Sequence, residues 1–166
     1  MKDLIDLRKE MQKMISNTKY KILLQKTSKK IHCKCYNEKY HEANSKCNIC
    51  LGTGWIFKFE KHKTFKQDYT SSADSAILFT EVGQISYNTR IFYFSHDVHP
   101  QAKDYIWEVT WRGEKPISLQ NLYRIKSVGE QRGENGRIEF YVAIAELEIL
   151  DKDFRNFYVG KAWRDL

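Results

Sequence analysis

The sequence predicts a mainly β protein: a small β-barrel or sandwich with an N-terminal helix and a cysteine-stapled module. Three observations carry that prediction. Aromatic residues make up 14% of the 166, and rings suit a pleated surface. After residue 75 a series of short strand-like runs follows, with turns between them and no intervening amphipathic helix, the pattern of a barrel or sandwich. Four cysteines fall as two tight pairs within residues 33–50, which marks a small unit set apart from the rest.

Taken in order, Leu4, Leu7, Met11 and Met14 recur at spacings of three, four and three, widened by Ile5 and Ile15. This is one apolar stripe of an amphipathic helix, ending near Ser16-Asn17-Thr18. A stripe of this kind packs on its own core or, being terminal and short, docks on a neighbouring subunit. Tyr20–Gln25 reads as a strand running into the cysteine segment. Trp55–Phe59 leaves it as another, with Trp55, Phe57 and Phe59 on one face. Residues 61–75 are polar and read as a loop or linker, which places a boundary between a 1–66 module and a 67–150 barrel domain.

The remaining strand candidates are Ala76–Thr80, Arg90–Phe94, Tyr105–Trp111, Leu122–Val128 and Arg137–Leu150. In the third, Tyr105, Trp107, Val109 and Trp111 alternate with Ile106, Glu108 and Thr110, as in a half-buried strand. Asn135-Gly136 signals the turn of a hairpin, because both residues tolerate positive φ. Residues 151–166 carry Phe154, Phe157, Tyr158 and Trp163 among charges and read as a short capping helix or, preferably, as a C-terminal arm. Aromatics at a terminus favour contact with a partner.

No apolar run reaches the ~18 residues that a membrane span needs. The opening MKDLIDLRKEMQKM lacks the apolar block of a secretory signal. A reducing, cytosol-like compartment is therefore expected, where clustered cysteines bind metal more often than they form disulfides. The net charge of +7 is uneven. Residues 1–66 carry 16 Lys or Arg against 6 Asp or Glu, and residues 67–166 carry 12 against 15. A basic half of this kind suits nucleic acid or an acidic protein surface, or is simply a solvated lysine-rich face.

The cysteine segment reads Cys33-Lys34-Cys35, then Cys47-Asn48-Ile49-Cys50-Leu51-Gly52-Thr53-Gly54. Two close thiol pairs, each on a tight turn, supply the four ligands of a tetrahedral zinc ion. A glycine just past the second pair lets the backbone turn back with positive φ. Four cysteines close the coordination shell, which points to a structural zinc and not to a catalytic one. The one-residue gap of Cys33-x-Cys35 is tighter than usual, and His32 or His41 stands as an alternative ligand.

No catalytic set is visible, and the chain is not expected to be an enzyme. Ser95-His96-Asp97-Val98-His99 brings two histidines near an aspartate, without a nucleophile or a third partner. Gly52-Thr53-Gly54 lacks the lysine and helix of a phosphate loop. Glu146 and Glu148 share a strand face with no acid–base partner.

The order of these features resembles neck proteins of tailed bacteriophages, of the head-completion or stopper type. The resemblance lies in the N-terminal helix, the Cys-x-Cys…Cys-x-x-Cys-x-Gly-x-Gly insertion ending in Trp55-Ile56-Phe57, and the last hairpin, Tyr123-Arg124-Ile125 with Gly136-Arg137-Ile138-Glu139-Phe140-Tyr141. It spans most of the chain as a pattern; the cysteine segment is its one specific motif. It implies a structural virion protein assembled in the host cytoplasm. Copies would form a ring between portal or adaptor and tail and help retain packaged DNA, which lies in the channel. The helix residues Leu4, Leu7, Met11 and Met14 and the terminal aromatics would then contact partners. Competing readings are a zinc-ribbon nucleic-acid binder and a baseplate or tail component.

Overall fold

The computed structural model describes residues 6–47, 50, 54–68, 88–133 and 135–149. One helix, α1 (Leu7–Asn17), precedes nine strands: β1 (Lys21–His32), β2 (Tyr36–Asn37), β3 (Glu42–Ala43), β4 (Trp55–Lys63), β5 (Phe65–Asp68), β6 (Thr89–Ser95), β7 (Tyr105–Arg112), β8 (Lys115–Arg132) and β9 (Ile138–Glu148). The protein is mainly β, as the sequence predicts. Seven strands form one antiparallel sheet in the order β4-β1-β7-β8-β9-β6-β5, and β2 and β3 pair apart from it.

The two edge strands of that sheet are consecutive in the chain, separated only by Thr64. The backbone N–H of Thr64 donates to Tyr20 O at 3.2 Å, continuing the β1–β4 ladder. Its hydroxyl donates to Tyr93 O of β6 at 2.7 Å. Thr64 is fully buried. The two edges of the sheet therefore approach each other at this residue, but β4 and β5 share no ladder and the sheet is curled without closing, an architecture compatible with a small barrel or a sandwich.

Residues 61–63 and 65–68, expected as linker, are strand instead. Their polar sequence hides the pattern because these edge strands have charged side chains on their inner face. The expected boundary at residue 66 falls inside β5, and β1 and β4 share the sheet with the later strands.

The main core gathers Ile22, Leu24, Phe92, Phe94, Ile106, Tyr123, Ile125, Tyr141, Ala143 and Ala145, one face of five strands. A second cluster lies on the opposite face of β1, β7 and β8, where Leu23, Trp107, Val109 and Leu122 pack with Phe59 and Trp111. The β7 strand is thus buried on both faces from Ile106 to Val109, not half-buried as its alternation suggests. The expected hairpin between β8 and β9 forms, with Gly136 at φ 71°. The β8 strand runs far beyond Leu122–Val128, pairing first with β7 and then with β9.

Helix α1 begins at Asp6, whose side chain accepts from Lys9 N, a standard N-cap. It packs on β6 and β9 through Met11 and Ile15, both buried. Arg8 donates to Ile138 O, and Arg137 bridges Asp6 and Glu139. Of the proposed partner-contact residues, Met11 faces the protein's own core, while Leu7 and Met14 are exposed. Leu4, the Ala76–Thr80 strand candidate and Phe154, Phe157, Tyr158 and Trp163 lie outside the described residues. Among the described residues, no helix is long and apolar enough to cross a membrane.

Candidate metal centre

The last rung that β1 shares with β7 is Gln25–Tyr105. Beyond it β1 continues with β4 alone. From Lys26 to Lys30, β1 advances four residues while β4 advances one, a large irregular bulge. Three further rungs follow, ending at His32–Trp55. This two-stranded arm carries the cysteine segment at its tip.

The buried carboxylate of Asp104 anchors the arm's root. It accepts from Thr27 N at 2.9 Å and Thr27 Oγ1 at 3.0 Å, both within the bulge, and from Gln101 N. Lys26 lies 3.7 Å from it, with both side chains almost completely buried. The Lys26 amine also donates to Val98 O and His99 O. Sequence reasoning missed this pair, because a lysine closing an apolar run looks like a strand end at the surface.

At the tip, Cys33 N donates to Gly54 O and Tyr36 N to Cys33 O, so one thiol pair sits on a turn that the hairpin's closing strand holds. Asn44 builds the other turn: its carbonyl accepts from Cys47 N and its side chain from Lys46 N. Gly54, at φ 77°, lies under the Tyr36 ring, where a Cβ would approach Cδ2 to 2.8 Å. A column of rings ties the tip to the arm. His32 stacks between Tyr36, at 4.1 Å, and Trp55, at 3.8 Å, and the Lys30 amine sits 4.2 Å from the Trp55 centroid.

The four sulfur atoms of Cys33, Cys35, Cys47 and Cys50 all lie within 4.8 Å of one another. The closest pairs join the two halves of the motif: Cys33–Cys47 at 3.8 Å and Cys35–Cys50 at 3.4 Å. Both are far beyond the ~2.05 Å of a disulfide, and no disulfide joins any of the four. A tetrahedron with metal–sulfur bonds of ~2.3 Å has edges of about 3.8 Å, so the cluster suits one metal ion. Burial and the hydrogen bond with Cys50 push the Cys35 thiol up to about 12. A bound dication reverses such a shift, since a coordinating thiol is deprotonated outright.

The histidines are engaged elsewhere. His32 belongs to the ring column, and His41 Nδ1 lies 3.4 Å from the Tyr36 hydroxyl. Among the described residues, no other group of His, Cys, Asp and Glu converges in this way.

The other sequence candidates do not assemble. His96 faces Gln12 of the helix, whereas His99 pairs with the Tyr141 hydroxyl at 2.6 Å. The Ser95 hydroxyl keeps Asp97 below the usual carboxylate range. Glu146 forms an ion pair with Lys126. Gly52 and Thr53 lie outside the described residues.

One polar cluster inside the curled sheet escaped the sequence altogether. Glu108 is buried and accepts from the Tyr20 hydroxyl, from Lys66 at 2.8 Å and from Asn121 at 2.6 Å. Burial raises its carboxyl above the ordinary range. Burial and the Glu108 charge push the Tyr123 phenol up to about 12. The partners of Glu108 come from the turn before β1, from β5 and from β8, so the cluster ties three distant segments together.

The sequence matches no protein-family model and no curated protein.

Proposed function

We propose that this chain is a structural protein of a bacteriophage neck, a head-completion or stopper subunit that forms a ring between portal or adaptor and tail and uses zinc to shape its docking arm. It works by contact and not by catalysis. The observation that carries this reading is the convergence of four thiols at the tip of an arm projecting from a barrel. Four sulfur ligands in a tetrahedral arrangement suit zinc or iron, and a shell closed by cysteine alone suits a structural zinc ion. Ile31 and Tyr40, on the arm and its tip, are about two-thirds exposed, apolar surface that a neighbouring subunit would cover. A ring needs one patch to meet a different patch on the next copy. An arm on one side of a barrel provides such an asymmetric pair of surfaces.

The test has two parts. Metal analysis of the purified chain is expected to return one zinc per polypeptide. Electron microscopy of the particle is expected to place a ring of this chain at the neck. A chain that stays monomeric at every concentration and is missing from the neck of the virion overturns the assignment.

A further inference from the structure

We propose that Cys33, Cys35, Cys47 and Cys50 are a peroxide-sensitive modification site that closes into two crossed disulfides, Cys33–Cys47 and Cys35–Cys50, and so keeps the tip fastened when its metal is lost. The pairing rests on the four-thiol geometry. Its occasion rests on the neck reading, under which the tip folds in a reducing cytoplasm and later serves on a particle outside it, where disulfides persist.

The sulfur atoms are 3.8 Å apart in Cys33–Cys47 and 3.4 Å apart in Cys35–Cys50. A disulfide of ~2.05 Å needs them to close by only about 1.8 and 1.4 Å. Each pair joins unlike partners. Cys33 and Cys50 are buried, whereas Cys35 and Cys47 are half-buried. An oxidant arriving from solvent thus meets one sulfur of each pair, with the other standing behind it. That is the placement of an attacking and a resolving cysteine.

Bridges within the two halves of the motif are disfavoured. Cys33 and Cys35 flank a single residue inside a turn that Tyr36 N closes on Cys33 O. A bridge across one residue departs from the narrow range of disulfide geometry. If Cys47 and Cys50 joined each other, Cys33 and Cys35 would be left with that strained bridge alone. Once Cys35 and Cys50 join, Cys33 and Cys47 are left beside each other. The turns hold their places meanwhile, because Cys33 N donates to Gly54 O and Cys47 N to Asn44 O, bonds that involve no sulfur.

The reactive form is the thiolate. In each pair the half-buried thiolate attacks one oxygen of a peroxide: an S–O bond forms, the O–O bond breaks and hydroxide leaves. The buried thiolate then attacks that sulfur: the S–S bond forms and the sulfenic oxygen leaves as hydroxide. Two sulfurs are oxidised by one electron each, and one peroxide is reduced to two hydroxides. After two such events no thiolate remains to hold an ion. The closed loops overlap from Cys35 to Cys47, so each bridge restrains the chain inside the other.

The test treats the full, zinc-loaded chain with hydrogen peroxide, reads released metal with a chelating dye and digests the product with trypsin without reduction. Cleavage after Lys34 and Lys46 puts Cys33, Cys35 and the Cys47–Cys50 segment on separate peptides, and fragmentation between Cys47 and Cys50 assigns each bridge. Metal release is expected in step with the loss of four hydrogens, about 4 Da. One pairing is expected out of the three that four cysteines allow, whereas a chain oxidised in denaturant should give a mixture. Amides of 33–47 are expected to stay protected from hydrogen exchange after oxidation, though not after chelation. Bridges Cys33–Cys35 and Cys47–Cys50, a mixture like that of the denatured chain, or sulfinic acids without bridges would overturn the site. So would an oxidised tip as unprotected as the chelated one. Zinc bound by the reduced chain without crossed bridges after peroxide leaves the metal reading standing and overturns this one; crossed bridges in a chain that never binds zinc do the reverse.

Discussion

Removing the metal is expected to unfold the tip of the arm and leave the barrel intact. Among the described residues between Cys33 and Gly54, only Cys33, Cys50 and Gly54 are buried. Secondary structure there amounts to the two-residue strands β2 and β3. Burying two cysteine side chains contributes at most ~1–2 kcal/mol each by area. Metal binding at a four-thiolate site contributes ~10–16 kcal/mol, so the ion outweighs the tip's own core several-fold. The barrel core of Ile22, Phe92, Ile106 and their neighbours contains no residue of the tip. Hydrogen exchange followed by mass spectrometry, before and after a strong chelator, reads this directly. Amides of 33–47 are expected to lose protection, while those of β6 to β9 keep theirs. Trp55 emission should change in the same titration, because the ring column that holds it loses Tyr36. Unchanged protection at the tip after complete metal removal would refute the reasoning. Simultaneous loss in tip and barrel would refute it equally, since it would make the metal part of a single cooperative unit.

Three further outcomes are expected. Asp104→Ala strands the buried Lys26 amine and two backbone N–H groups, and should cost ~3–5 kcal/mol; Lys26→Met, which keeps the carboxylate's other donors, should cost less, as read from urea midpoints at constant m. Burial alone would raise the Glu60 carboxyl, but hydrogen bonds from His62, Lys29 and Lys58 bring it from 4.5 down to about 2. A depressed acid contributes stability above its unfolded pKa and loses it as pH falls through the folded one. Acid unfolding between pH 4.5 and 2 should therefore flatten in Glu60→Gln, with about 2 kcal/mol at stake after allowance for exposed lysine partners. Gly54→Ala places a Cβ 2.8 Å from Tyr36 and 3.2 Å from Ala43 at a positive φ. It should weaken zinc binding roughly tenfold or more in competition with a chelating dye.

What could be read from the sequence was local. The pairs at Cys33/Cys35 and Cys47/Cys50 and the Asn135-Gly136 turn declare themselves through neighbours a few residues apart, and the structure places them as read. The strand Tyr105–Trp111 was legible as a strand but not in its surroundings. Its alternation puts Glu108 opposite Trp107, which suggests one wet face. In a rolled sheet that face turns inward, where Tyr20, Lys66 and Asn121 meet the carboxylate from distant segments. Residues 61–68 misled for the same reason. Lys66 and Asp68 alternate with Phe65 and Gln67 as a strand should, but Lys66 finds its counter-charge 42 residues away. Lys26 is legible only once Asp104 is known to lie beneath it.

The seating of Lys26 and Asp104 also sets how load would travel. The arm leaves the barrel by three rungs past its bulge, about 10 Å of strand, and is fastened there by one carboxylate that holds both the bulge and a buried amine. A pull on the tip would arrive as torque at that point, with the rungs acting as a cantilever and Asp104 as its fulcrum. Stiffness in any assembly joined through these arms would then be decided at a single anion, far from the surfaces that touch.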